Sequence, residues 1–538
     1  MIHIWRSMIK NLSQVKLVIL TSVFLVLFDN YSFFKNTILV YPLAFKNIGF
    51  LLSLAVVLMF FVILLFTLLS SRYTTKPVLI STLLVSSLTN YFMNSYNVVI
   101  DESMIRNMLQ TNIDESMDLF NIKFFLYFIF FGVLPSLYIY RLDIVYKGLK
   151  AETLSKIKTI LISIFIILGS IFIFSKFYTS FFREHKPLRY YTNPTYWIYS
   201  IGKYINLTVS GGKVVVKHIG DDAKIREEDG NELVIVVVGE TARADHFSLN
   251  GYEKKTNPLL EKENIINFSN MYSCGTSTAI SVPCMFSVFD KSDYSYKKGI
   301  STENILDVLK NTNNLEILWR DNNSDSKGVA LRIPFQDYKL PENNTICTDG
   351  ECRDEGMIVG LDKYIEKHKG KDILIILHQM GNHGPAYYKR YPKEFEKFTP
   401  VCKTNQLEEC SKEEISNAYD NALLYTDFFL SKVINFLKKY DGTHEAAMIY
   451  MSDHGESLGE SGVYLHGLPY FMAPEAQTHI GSLMWFGKGI LKEIDEDKIK
   501  LQKDVKYTQD NLFHTLLGIF EVETNLYDYK MDMIHGHQ

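Results

Sequence analysis

Hydrophobic residues follow two different patterns along this chain, and the change comes near residue 182. Before it, apolar runs lie at residues 15–34, 48–69, 78–100, 124–140 and 157–182. Each is near the about 20 residues that cross a bilayer core as a helix. Five crossings put the two ends of the chain on opposite sides. The first run is not read as a cleaved signal peptide, because four more follow it and no small-residue cleavage site ends it. Beyond residue 182 the apolar runs become short and continuous: "ELVIVVVGE" at 232–240, "LEILWRDNN" at 315–323, "DILIILHQM" at 372–380, "AAMIYMSDHGE" at 446–456 and "SLMWFG" at 482–487. Strands buried on both faces read this way. Helical segments lie between them, the clearest opening at Ser411, where "SKEE" sets up a capping box with Glu414 ahead of a long run to Lys439. Strands interleaved with helices predict a mostly parallel sheet covered on both sides. The chain shows no internal repeat and no low-complexity tail. Its expected organisation is a five-helix transmembrane domain at 1–182, an interfacial linker at 183–225 and an exported domain at 226–538.

Charge adds orientation. The formal net charge of −4 over 538 residues gives no reason to expect a nucleic-acid partner. Basic residues are unevenly placed: Arg6, Lys10 and Lys16 lie before or at the start of the first run, Arg72 and Lys76 join the second to the third, and Arg141, Lys147, Lys150, Lys156 and Lys158 lie between the fourth and the start of the fifth. The alternate loops are poorer in positive charge, with Lys35 and Lys46 in one, and Arg106 against Asp101, Glu102, Asp114, Glu115 and Asp118 in the other. Positive charge stays on the cytoplasmic side, so the amino terminus is expected inside and everything after residue 182 outside the inner face. The linker mixes basic residues with Tyr and Trp ("REHKPLRYYTNPTYWIYSIGKYI"), which suits the headgroup level and equally an ordinary surface connection.

Cysteine usage agrees with export. All six cysteines follow residue 182, in the local couples Cys274 and Cys284, Cys347 and Cys352, Cys402 and Cys410. Fifteen connectivities are open to six cysteines, and neighbours in sequence are the simplest pairing. An even count confined to this part implies an oxidising compartment.

Candidate chemistry gathers at the carboxyl ends of the strands, where ligands bind in open α/β sheets. Gly239-Glu240-Thr241 follows the first strand and Asp321-Asn322-Asn323 the second. His378 and then His383 follow the third, and Asp453-His454-Gly455-Glu456 the fourth. Alone, an Asp or Thr after a strand is more often a helix cap, and a His there a surface residue. Delivered together by four strands, they suit a divalent ion, zinc by preference and manganese if oxygen ligands dominate. A metal would also explain "CGTSTAISVPC" at 274–284, which sets Thr276, Ser277, Thr278 and Ser281 in a loop bracketed by cysteines. Zinc brings bound water from a pKa of about 15.7 to about 7. A hydroxyl gaining similarly would become a usable nucleophile, and the residue types do not choose among the four. In the loop "DESMIRNMLQTNIDESMDLF", Asn107, Thr111 and Glu115 recur every four positions and form one polar stripe if helical. Such a stripe could receive a zwitterionic lipid headgroup or be a solvated helix face.

At "VVGETARADHFSLNGY", "CGTSTAISVPCMFS", "DNNSDSKGV", "GNHGP", "SDHGESLGE" and "YLHGLPY", in this order after five apolar runs, the chain resembles the phosphoethanolamine transferases that modify lipid A, including the mobilised colistin-resistance enzymes. The resemblance covers essentially the whole chain. It implies an α/β/α sandwich of alkaline-phosphatase and sulfatase type in the periplasm, on a five-helix anchor in the bacterial inner membrane. It also implies phosphatidylethanolamine as donor, lipid A as acceptor and zinc as cofactor. Carried over, Thr278 matches the threonine that bears phosphoethanolamine, and Glu240, Thr278, Asp453 and His454 match the zinc ligands. His383 and His466 match histidines near the transferred phosphate that sometimes bind a second zinc, and Asn323 and Lys327 match residues that hold the phosphate. His378 fits a neighbouring substrate-binding position. Asn107, Thr111 and Glu115 match headgroup-binding residues. The chain departs from the common pattern at Leu331-Arg332 and at Gly481, neither in the metal set.

The expected activity is therefore a two-step transfer through phosphoethanolamine-threonine by a monomeric enzyme, which hides a lipid A phosphate and weakens cationic antimicrobial peptides such as polymyxin. The rivals are a phosphoethanolamine or phosphoglycerol transferase acting on another envelope glycan or protein, and a membrane-anchored phosphodiesterase. A zinc-holding binding protein is the non-enzymatic rival. A sulfatase is disfavoured because Cys284 is followed by Met285, Phe286 and Ser287 rather than the C-x-P-S-R type of modification site.

Overall fold

The structure, a computed structural model, describes residues 11–110, 119–183, 185–209, 215–225, 231–348 and 350–536. It divides into two compact units: Met1–Ile105 with Phe120–Asn206, and Arg106–Leu119 with Leu207–Gln538.

The first unit is helical. Its main helices are α1 (Gln14–Phe28), α2 (Tyr31–Val40), α3 (Phe45–Leu69), α4 (Thr75–Tyr96), α5 (Ile122–Arg141) and α6 (Leu149–Ile173). Among the described residues α3, α5 and α6 are each long and apolar enough to cross a membrane, and α1 with α2, bent by 54°, makes a fourth if the pair is one span. The expected count of five is thus not matched by length and composition. The difference lies in α4, which occupies the third apolar run. Its buried positions include Thr82, Ser86, Ser87, Thr89 and Asn90, and these polar groups bond within the unit. Asn90 donates to Asp29 Oδ1 (2.7 Å), and the Ser86 carbonyl accepts from Asn193 Nδ2 (2.9 Å). Satisfied polar contacts of this kind hold helices together where no water competes. The first run breaks at Asp29 and Asn30, and the last run ends its long helix at Ile173 before a short helix, Ser175–Arg183, begins. Much of the stretch read as a linker is itself helical, at Lys186–Tyr191 and Thr195–Val209.

The second unit is built on a seven-stranded sheet. Its strands are β1 (Glu232–Gly239), β2 (Ile265–Asn267), β3 (Leu315–Asp321), β4 (Phe335–Asp337), β5 (Asp372–His378), β6 (Glu445–Ser452) and β7 (Ser482–Phe486). They run in the order β2, β7, β6, β1, β5, β3, β4. The β6, β1, β5, β3 and β4 pairings are parallel, and β7 is antiparallel to both its neighbours. The five apolar runs of the sequence are β1, β3, β5, β6 and β7. The two edge strands are three residues each and carry no pattern to read.

Alternation within β1 shows why the sheet is covered twice. Val234, Val236 and Val238 enter one core with Leu306 and Leu309 of the helix Ile305–Asn311 and Leu512 and Leu516 of Asn511–Ile519. Leu233, Ile235 and Val237 enter another with Leu361, Tyr419, Leu423 and Leu430. Helices on both faces of a mostly parallel sheet make an α/β/α sandwich.

The longest helix of this unit, Lys412–Leu437, begins with the capping box expected at Ser411. Ser411 Oγ accepts from the Glu414 N–H (3.2 Å), and Glu414 Oε2 accepts from the Ser411 N–H (2.7 Å). Ser411→Ala is expected to lower the stability of this unit by about 1 kcal/mol, measured by chemical denaturation. A change below about 0.3 kcal/mol would show that the cap is redundant.

Candidate functional site

Four side chains from three elements meet beyond the carboxyl edge of the sheet. Glu240 directly follows β1, Asp453 and His454 follow β6, and Thr278 is the first residue of the helix Thr278–Met285. Thr278 Oγ1 lies 3.2 Å from Glu240 Oε2 and 3.3 Å from His454 Nε2. His454 Nε2 lies 3.5 Å from Glu240 Oε1 and 3.3 Å from Asp453 Oδ2. One ligand atom from each of Glu240, Asp453 and His454 falls within 4.8 Å of the others. Of the four hydroxyl residues between the cysteines, Thr278 is the one that reaches this group.

The electrostatics ask for a cation. His454 Nδ1 faces the Gly455 carbonyl at 2.9 Å, so that nitrogen carries the proton and Nε2 presents a lone pair. That lone pair points among two carboxylates and a hydroxyl, all buried. Asp453 Oδ2 is buried without a hydrogen-bond partner, a costly state for a carboxylate. Burial raises the Asp453 carboxyl above its usual range and, with His466 beside it, holds His454 well below the imidazole range. Two carboxylates, a neutral imidazole and a hydroxyl form a donor set that fits zinc.

Ties between elements fix this geometry. Asn323, after β3, donates to Glu240 Oε2 (2.8 Å) and to the Gln379 carbonyl (2.7 Å). Its side-chain amide thus ties Glu240 to the end of β5. Gln509 accepts from the Cys274 N–H (2.7 Å) and donates to the carbonyls of Ser452 and Asp453 (2.7 Å each), fastening the loop before Thr278 to the end of β6. Cys274 and Cys284 are disulfide-bonded, as are Cys347 with Cys352 and Cys402 with Cys410.

Of the remaining expected residues, His466 and His383 stand beside this centre. The His466 ring lies 4.2 Å from that of His454 and 5.9 Å from that of His383. Burial, then Arg390, keeps His383 well below the imidazole range. His378 is buried behind the site with Nδ1 2.9 Å from Asp321 Oδ2, and its Nε2 has no hydrogen-bond partner. Lys327 adopts a positive φ of 50°. Its Nζ donates to Ser324 Oγ and to the Gln110 carbonyl, which belongs to the same unit. Asn107 lies on the helix Glu102–Gln110, whereas Thr111 and Glu115 lie outside the described residues, so the stripe is not seen whole.

Sequence reasoning placed Glu456 after the fourth strand but gave it no role; it accepts from His466 Nδ1 (2.8 Å) and from the Tyr387 hydroxyl (2.7 Å). It fixes the tautomer that turns His466 Nε2 toward the site. Its place two residues after His454 was the available signal. His454, Glu456 and His466 also form a second group able to hold a metal. Asp321, which orients His378, stood at the polar end of a strand and was passed over for Asn323.

Comparison with known proteins decides the family. The chain is 45% identical to the phosphatidylethanolamine transferase Mcr-2 of Escherichia coli over 515 residues, 94% of either chain. It is 45% identical to Mcr-1 of Escherichia coli over 528 residues, 95% of this chain and 96% of that one. The chain belongs to the phosphoethanolamine transferases. A family model described as phosphoethanolamine transferase EptA/EptB matches residues 58–209, and one described as sulfatase matches residues 232–522. The solved integral membrane lipooligosaccharide phosphoethanolamine transferase A of Neisseria meningitidis superposes with a TM-score of 0.93 at 34% identity, covering 98% of this chain and 99% of that one. This transferase shares the sulfatase-type sandwich. Its Cys284 is held in a disulfide, which leaves that thiol unable to serve as a sulfatase's modified cysteine.

One glycine makes the packing around Glu240 possible. Gly381 has φ 48°, and a Cβ there would stand 3.0 Å from the Glu240 carbonyl oxygen and 3.1 Å from its Cβ. Gly381→Ala is expected to cost about 1–2 kcal/mol of stability in a denaturation experiment. A change within about 0.5 kcal/mol of zero would mean that the close approach relaxes freely.

Proposed function

We propose that the chain transfers phosphoethanolamine from phosphatidylethanolamine to a phosphate of lipid A through a covalent threonine intermediate, in a zinc-dependent reaction at the periplasmic face of the bacterial inner membrane. The convergence of Thr278 Oγ1 on Glu240 and His454 carries this reading. Five membrane spans at 1–182, a linker at 183–225 and a periplasmic catalytic domain at 226–538 complete it, with the chain working as a monomer.

Glu240, Asp453 and His454, with Thr278, would hold the zinc. When bound, zinc supplies a Lewis acid that eases deprotonation of a hydroxyl and stabilises charge on phosphoryl oxygens. Thr278 attacks the phosphorus of phosphatidylethanolamine. A bond forms from Oγ1 to phosphorus, the bond from phosphorus to the diacylglycerol oxygen breaks, and diacylglycerol leaves with a proton. Thr278 opens its helix, where the dipole favours the negative charge that grows on the phosphoryl group. Lys327 and His383 add positive or hydrogen-bonding groups, because phosphoryl transfer depends on positioning and electrostatics. A lipid A phosphate oxygen then attacks the same phosphorus and releases Thr278, with His383 or His466 moving the proton. Glu456 supports His466 in that task. Asn107, Thr111 and Glu115 receive the ethanolamine headgroup, and His378 and Asn323 order the substrate side of the centre. Capping an anionic phosphate with an amine weakens the attraction of cationic peptides such as polymyxin.

Mass spectrometry of lipid A from a Gram-negative host tests the reading. The wild-type chain is expected to add phosphoethanolamine. Thr278→Ala should lower the addition by at least about 1,000-fold, and chelation should abolish it until zinc, not magnesium, is returned. Unmodified lipid A with the folded, zinc-loaded wild type contradicts the acceptor, and an active Thr278→Ala contradicts the nucleophile.

A further inference from the structure

The turn after β1 raises a problem that the metal set does not answer. Thr241, next to Glu240, has φ 53°. For a β-branched residue this left-handed conformation is a rare outlier that surrounding structure has to impose. The Thr241 side chain gives no reason for it, since its hydroxyl is buried without a hydrogen-bond partner.

The reason lies in the backbone. The left-handed residue lets the Thr241 N–H donate to Asp453 Oδ1 (3.1 Å), which ties the residue after one metal ligand to the other ligand itself. Around it, the Glu240 carbonyl accepts from the Asn382 N–H (3.1 Å), the Ala242 N–H donates to Ser452 Oγ (2.7 Å), and the Ala242 carbonyl accepts from the Gly481 N–H (2.9 Å). Two groups of the turn remain, the Thr241 carbonyl and the Arg243 N–H, and one side chain serves both. The Tyr419 hydroxyl donates to the Thr241 carbonyl (2.6 Å) and accepts from the Arg243 N–H (2.9 Å). Tyr419 is fully buried on the helix Lys412–Leu437, its ring set edge-on between those of His246 (5.2 Å) and Tyr387 (5.6 Å). Both bonds of its hydroxyl are to backbone groups, not to a ligand side chain.

We propose that Tyr419 is a positioning residue for phosphoethanolamine transfer: by bridging the Thr241 carbonyl and the Arg243 amide, it holds the left-handed turn that aims Glu240 at Asp453, His454 and Thr278. Without the bridge, Thr241 relaxes toward negative φ and carries Glu240 off its bearing. This rests on the metal reading of the site, and zinc binding separates the two.

Y419F, made in the full-length protein, removes only the hydroxyl. Zinc affinity is read by competition with a chromophoric chelator, and kcat and KM are measured separately. Y419F is expected to lower zinc affinity and kcat by about 10- to 100-fold each, with KM for phosphatidylethanolamine within about twofold of wild type. T241G in the same chain should recover most of both losses, because glycine adopts positive φ without the Cβ penalty. Recovery by T241G is not expected if Tyr419 only fills space. Unchanged zinc affinity and kcat in Y419F, or losses that T241G leaves in place, would overturn the proposal. Should Y419F alone fail to fold, Y419F/T241G must fold and bind zinc, and failure of both would overturn it too. Wild-type protein that takes up no zinc would overturn the metal reading and the proposal together.

Discussion

Everything at the carboxyl edge of the sheet depends on one unfavourable arrangement: two buried carboxylates, a neutral imidazole lone pair and a hydroxyl, all pointing inward. Thr278 stands 3.2 to 3.3 Å from Glu240 and His454, and His454 stands 3.3 to 3.5 Å from Asp453 and Glu240. Without a cation this is a concentration of acceptors in a low-dielectric setting, with Asp453 Oδ2 left bare. With one, the same closeness becomes a ligand set. The arrangement that would weaken an ordinary core is the one the chemistry needs.

Holding such a group together requires that the backbone be fixed from outside, and the fold does this from several directions. Parallel β1 and β6 are neighbours in the sheet, so Glu240 and Asp453 emerge side by side. Asn323 arrives from β3 to hold Glu240, and Gln509 straps the loop before Thr278 to β6. Positive φ values at Thr241 and Lys327 mark where backbone comfort is given up for aim. The same logic explains Gly381, where a positive φ and the closeness of Glu240 both favour a residue without a Cβ.

The sandwich was legible in the sequence because its five long strands are buried on both faces and read as continuous apolar runs. The site was legible because its residues stand where those runs stop: Glu240, His378, Asp453 and His454 are strand ends. The capping box at Ser411 was legible because its chemistry is local. What escaped was whatever acts from a distance or hides in a pattern. Tyr419 reads as one more apolar position of a buried helix, and its hydroxyl has meaning only beside Thr241, 178 residues away. Glu456 reads as part of a loop until His466 is placed against it. In the helical unit, the run at 78–100 is apolar enough to read as a span, and its sequence does not show where its polar residues point. The polar side chains of Thr75–Tyr96 turn inward and bond to neighbouring helices, which composition along one segment does not reveal.

The role given to Thr278 is the claim on which the catalytic account stands. Its hydroxyl stands beside Glu240 and His454, so the most direct measurement is the mass of the Thr278 peptide after zinc-loaded protein meets phosphatidylethanolamine with no acceptor present. The account predicts one phosphoethanolamine on Thr278, discharged when lipid A is added. An unmodified Thr278 in protein that still modifies lipid A at full rate, or a group carried on another residue, would contradict it.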